Sequence, residues 1–165
     1  MNRRLEPPSD LLSVIGGEGH WIEFLFPTID IHKSLFGHVA AMVYIAIREY
    51  YLLGLRSTFF LSRVTKVYVE MLENAMEHGN GGDKSKLVTV LLSLGPQGVL
   101  LGIQDEGPFF RYLENKQKLE DRVVIPSGRS PEEMGGYGLP NYLYRHADHI
   151  YVSVDQHALF YVTLR

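Results

Sequence analysis

Two apolar runs, Leu87 to Leu94 and Val99 to Gln104, are joined by Gly95-Pro96-Gln97-Gly98, and this arrangement restricts the possible folds more than any other part of the chain. Such runs on either side of a loop containing Gly and Pro read as a β-hairpin with a four-residue connection, so two strands must be adjacent and antiparallel. The rest of the chain has to cover them. Trp21 to Phe26 sets Ile22, Phe24 and Phe26 on one side at period two ahead of Pro27, which predicts a further strand that could lie at a sheet edge. Ile31 to Leu53 and Phe59 to His78 read as two helices separated by Gly54 and Arg56-Ser57-Thr58, where Ser57 or Thr58 could cap the second. The first is apolar on all sides, which points to burial against sheet, helix or partner. Leu139 to His146 is a helix with Pro140 in its first turn, and His149 to Val154 with Ala158 to Leu164 read as a closing pair of strands. This order predicts an α+β fold.

Two stretches fall outside these elements. Residues 1–19 carry Pro7-Pro8 and Gly16-Gly17-Glu18-Gly19, a composition that predicts a flexible N-terminal arm, with a single domain over 20–165. Arg111 to Met134 is polar with few large apolar residues, and a loop of that length in a compact domain predicts a lid. A chain of 165 residues suits one core. The absence of cysteine excludes a disulfide framework and a Cys-ligated metal, and permits a reducing cytoplasm. A net charge of -3 provides no basic field for a phosphate backbone, so no direct nucleic-acid partner is expected. The longest apolar run, Val39 to Ile47, ends at Arg48-Glu49, short of a membrane span. Glu6, Pro7, Pro8 and Asp10 precede any apolar stretch, unlike a signal peptide, and the expected location is the cytoplasm.

Three segments carry candidate chemistry. In Glu70 to Asn80, helical spacing stacks Glu70, Asn74 and His78 along one face, opposite Met71, Leu72, Ala75 and Met76. An Asn in mid-helix is a poor choice unless its amide has work elsewhere. A carboxylate one turn before an amide oxygen suits a metal-bound nucleotide, the amide ligating Mg²⁺ and the carboxylate orienting or deprotonating a nucleophile. A solvated helix face capped at Gly79 satisfies the same pattern. Asp105-Glu106-Gly107 ends an apolar strand, so the carboxylate of Asp105 faces whatever cleft lies beyond and suits an exocyclic amine such as N6 of adenine. Gly107 leaves room for a planar base, and a simple turn explains the residues equally well. Gly135-Gly136-Tyr137-Gly138-Leu139 precedes the helix near Pro140, where backbone amides at a positive helix end suit phosphate.

In this order the three motifs resemble the histidine-kinase-type ATPases of the GHKL superfamily. Glu70 to Gly79 matches the N box, Asp105 to Gly107 the first glycine box, and Gly136 to Leu139 the second. The short chain, the His78-Gly79 ending and the absence of a phosphoacceptor histidine domain are most similar to bacterial anti-sigma factor serine/threonine kinases. The resemblance implies a two-layer α/β sandwich, with a mixed, mostly antiparallel sheet and helices on one face. It implies Glu70 as general base and Asn74 as Mg²⁺ ligand, with His78 in the same box and Asp105 reading adenine beside Gly107. Gly136, Gly138 and Leu139 would flank the ATP triphosphate under the lid, where Arg122 or Arg129 could meet phosphate or protein substrate. The implied partners are an anti-sigma factor antagonist and a sigma factor, with a homodimer formed through the sheets. Two positions depart from the family pattern. Phe109 stands where a second glycine is usual, and His157-Ala158-Leu159 replaces a Gly-Thr. They keep open a second reading, an interaction switch with weak or no nucleotide binding and no kinase activity.

Overall fold

A computed structural model describes residues 4–17, 20–51, 58–108, 116–122 and 138–165. The chain runs α1 (Ser9–Val14), β1 (Ile22–Pro27), α2 (Ser34–Tyr50), α3 (Thr58–Glu73), a π-helical turn (Asn74–Gly79), β2 (Leu87–Gly95), β3 (Gly98–Asp105), α4 (Lys116–Glu120), α5 (Gly138–His146), β4 (His149–Ser153) and β5 (Ala158–Leu164). Among the described residues the strands form one sheet in the order β1-β2-β3-β5-β4, with every pair antiparallel. The α+β architecture is the expected one, and β1 lies at an edge.

Period-two alternation sorts each strand between two faces. Val88, Val90 and Leu92 of β2, Val99, Leu101 and Ile103 of β3, and Leu159 and Tyr161 of β5 pack against Val43 and Ile47 of α2 and the apolar side of α3. The alternate residues Leu91, Leu100, Phe160 and Val162 face the other way and meet Leu5, Leu11 and Ile15.

This second layer corrects two expectations. Helices are not confined to one face, and residues 4–17 are not a loose arm, since Leu5 and Ile15 are 1% and 0% exposed. The apolar residues between the prolines and glycines outweigh those local breakers once a sheet face is there to receive them. Gln156, between β4 and β5, ties the segment down by accepting from the Glu6 N–H at 2.7 Å and donating to the Glu6 carbonyl at 2.9 Å.

The hairpin connection is two residues long rather than four, because Gly95 and Gly98 pair across the ladder. Gly95 is needed for packing. A Cβ there would lie 2.1 Å from the Ile15 carbonyl oxygen, the group that accepts the Gln97 N–H at 3.1 Å. At the opposite edge, β4 is covered by α4. Lys116 Nζ donates to the Val152 carbonyl at 2.8 Å, Glu120 Oε1 accepts the Val152 N–H at 2.9 Å, and Leu119 is buried. Side chains thus satisfy an edge that would otherwise offer free backbone groups. The predicted lid is therefore revised over 116–122, which dock on the sheet edge, while 111–115 and 123–134 lie outside the described residues. Among the described residues no helix is long and apolar enough to cross a membrane.

Candidate functional site

α3 carries its buried residues, Val64, Val67, Tyr68, Met71 and Leu72, at the spacing of one helical stripe, and they anchor it on the sheet. That leaves Glu70, Glu73 and Asn74 half-buried on the other side. The mid-helix Asn74 turns its amide back on the preceding turn, donating from Nδ2 to the Glu70 carbonyl at 2.7 Å and to Glu70 Oε1 at 3.2 Å. Among the described residues its Oδ1 takes part in no hydrogen bond. Glu70 and Asn74 are therefore brought together as predicted. Burial, and then the neighbouring carboxylates of Glu70 and Glu77, push the Glu73 carboxyl above its ordinary range.

From Asn74 the helix widens. The Asn80 N–H reaches back five residues to the Ala75 carbonyl at 2.8 Å, so an α-helical period no longer holds. His78 is exposed, and its ring nitrogen Nε2 lies 3.9 Å from the Glu77 carboxylate.

The widened turn delivers Gly79 onto Asp105. A Cβ on Gly79 would lie 2.2 Å from Asp105 Oδ2, and one on Gly107 would lie 1.7 Å from the Gly79 carbonyl oxygen. Both glycines are required for the helix end and the strand end to touch, which a periodicity argument does not foresee. Asp105 Oδ1 accepts the Gly107 N–H at 2.8 Å, while Oδ2 accepts no hydrogen bond among the described residues. Burial raises the Asp105 carboxyl above its ordinary range, opposed by that N–H and by Lys86.

Sequence reasoning missed Asn80 and Thr28. Asn80 is fully enclosed, its Oδ1 accepting the Glu106 N–H and its Nδ2 donating to Thr28 Oγ1 and the Leu87 carbonyl. An Asn after a helix-terminating Gly has the signature of an ordinary turn residue, so nothing in the local sequence marks it.

Elsewhere the predicted residues divide. Gly138 opens α5, in line with a glycine turn leading into a helix, whereas Gly136, Phe109, Arg129 and the side chain of Leu139 lie outside the described residues. Arg122, read from its charge as a partner for phosphate or protein substrate, is engaged within the fold. Its guanidinium donates to the carbonyls of Tyr144, Ala147 and Asp148 at 3.1, 2.6 and 2.6 Å, closing the C-terminal end of α5. Where a Gly-Thr is usual, His157 takes φ 50°, the backbone region that glycine adopts most readily. Ala158 turns to the face covered by α1, and the Thr163 hydroxyl donates to the His146 carbonyl. A cavity of about 240 Å³ adjoins the π-helical turn between Asp30, His32, Glu77 and Lys84, but Glu70, Asn74 and Asp105 do not line it.

Among the described residues no three His, Cys, Asp or Glu side chains cluster as metal ligands. The donor set still fits Mg²⁺, because Asn74 Oδ1 is a hard oxygen and this ion commonly completes its shell with phosphate and water.

A sheet–helix sandwich with a carboxylate–amide pair on one helix and a half-buried Asp where the adjoining strand ends defines an α+β domain whose polar candidate residues gather near the helix end. The chain belongs to the histidine kinase-like ATPase domain family, whose model matches residues 58–156, from the start of α3 to just short of β5. No curated protein matches the chain.

Proposed function

We propose that this protein binds ATP with Mg²⁺ and acts as a protein serine/threonine kinase on an anti-sigma factor antagonist in a bacterial partner-switching circuit, with a sigma factor as a further partner. The observation that carries the nucleotide reading is the Asp105 carboxylate. It is half-buried beside Gly79, with one oxygen used by Gly107 and the other without a described partner, at the end of the element that bears Glu70 and Asn74. Oδ2 then accepts from the adenine 6-amino group. Asn74 Oδ1 would hold Mg²⁺, which when bound would supply positive charge to the phosphates. In the transfer, the acceptor hydroxyl oxygen bonds to the γ-phosphorus as the bond to the bridging oxygen breaks. ADP leaves, and the hydroxyl proton passes to Glu70.

Calorimetric titration with ADP and ATP, with and without Mg²⁺, tests the site. Binding that depends on magnesium and is lost in Asn74→Ala is expected. Glu70→Ala should bind nucleotide but not transfer phosphate, and transfer at the wild-type rate in that variant would overturn the role given to Glu70.

The departures at 157–159 favour a second reading, since the expected hydroxyl is replaced by Ala158 on the far face of the sheet. In that reading the domain is a protein-interaction switch, and absence of binding at millimolar nucleotide selects it. Under either reading we propose a homodimer. Ile22 and Leu25 on the edge strand are 52% and 55% exposed, and Leu35, Met42 and Ile45 of α2 are also exposed, so an apolar surface is available for a second copy. A dimer mass in sedimentation at micromolar concentration is expected.

A further inference from the structure

The polar contact between the helix end and the strand end passes through one buried side chain. Asn80 is 2% exposed, and its carboxamide joins three segments. Oδ1 accepts the Glu106 N–H at 2.8 Å, from the turn that carries Asp105 and Gly107. Nδ2 donates to Thr28 Oγ1 at 2.8 Å, just after β1, and to the Leu87 carbonyl at 3.0 Å, at the start of β2. Thr28 is fixed in its turn, both its N–H and its hydroxyl donating to the Lys86 carbonyl at 2.9 and 3.0 Å. The amide therefore has one possible orientation, with its oxygen toward Glu106. The Glu106 carboxylate, through Oε2, accepts the Leu87 N–H at 2.7 Å and closes the same corner.

We propose that Asn80 is a positioning residue for base recognition, holding the 105–107 turn at the height that sets the Asp105 carboxylate for an adenine amine. The proposal rests on the reading of Asp105 as the adenine acceptor. Hydrogen bonds lose strength steeply with misalignment, and the Gly79–Gly107 contact leaves no slack for the turn to move inward. Without Asn80 the Glu106 N–H loses its partner and the turn is free to move outward. Asp105 then drifts from the base while the phosphate-binding groups stay in place.

The test compares ADP with GDP, which presents an acceptor oxygen where adenine presents its amine. Titrations are run on wild type, Asn80→Ala and Thr28→Val at a temperature where circular dichroism shows each variant folded. Wild type is expected to prefer ADP. Asn80→Ala should lose about tenfold in ADP affinity, the scale of one charge-assisted hydrogen bond, with GDP affinity nearly unchanged. Thr28→Val keeps the Asn80–Glu106 bond, so its melting temperature should fall while the ADP-to-GDP ratio is kept. A merely structural Asn80 would lower stability and leave the ratio alone, and that result overturns the proposal. Amide exchange in the wild-type protein gives an independent check that needs no variant. The Glu106 N–H should be protected before nucleotide is added, and exchange at the rate of an open loop would also overturn the proposal. A wild type that takes ADP and GDP alike refutes the reading of Asp105 itself, a failure distinct from wild-type preference that survives in Asn80→Ala.

Discussion

Asp105 carries a stability cost that its proposed role explains. Because burial raises its carboxyl, the folded state binds more protons than the unfolded state between the ordinary value of 3.8 and the raised one. Stability therefore falls as pH rises through that interval, and the full cost stands above it. Asp105→Asn keeps the acceptor for Gly107 and removes the charge. It should melt higher than wild type at pH 7, with the gain vanishing in acid, and should lose preference for adenine. Thermal scans across pH, paired with ADP titration, check both. Tyr68 is a second residue whose polar atom costs stability, since its buried hydroxyl has no partner among the described residues. Tyr68→Phe is expected to stabilise by about 1 kcal/mol in urea denaturation, because it removes an unsatisfied group at little loss of volume. Neither cost is visible in the sequence, where Asp105 reads as a turn residue and Tyr68 as one more apolar position of α3.

The longer elements were legible because they depend on period and breakers, whereas the short helices α1 and α4 fell in stretches read as an arm and a lid. The strand before Pro27, the three predicted helices, the hairpin and the closing strands all appear, with ends moved by a few residues. The π-helical turn was not legible. Its wider winding follows from seating Gly79 on Asp105 and Asn80 among three segments, contacts that join residues tens of positions apart. Glu70 and Asn74 pair as their spacing implies, while the ring of His78 lies near Glu77. Arg122 is a comparable case, since charge alone pointed it at phosphate or protein substrate and the fold uses it as a cap. It holds φ 58° to reach the last carbonyls of α5, a position favourable to a cation. Arg122→Ala should cost about 1 kcal/mol, discounted for its exposure, read as a lower urea midpoint with an unchanged slope.

For the whole molecule, the N-terminal segment decides whether the sheet has one buried face or two. Ile15 is fully buried against the face that carries Leu91, Leu100 and Phe160. Ile15→Ala is therefore expected to cost about 2–5 kcal/mol, measured by urea denaturation. A cost below about 0.5 kcal/mol, typical of surface substitutions, would mean that the segment does not pack there. By itself the sequence determined the α+β class, the antiparallel hairpin, the neighbouring carboxylate and amide of Glu70 and Asn74, and the family, because each rests on spacing within a short stretch of chain. The second sheet face, the widened helix end, the contact of Gly79 with Asp105 and the corner built on Asn80 were decided only by the tertiary structure. Those features arise where backbone groups and side chains distant in sequence must share one small volume, and which groups meet there depends on the complete fold.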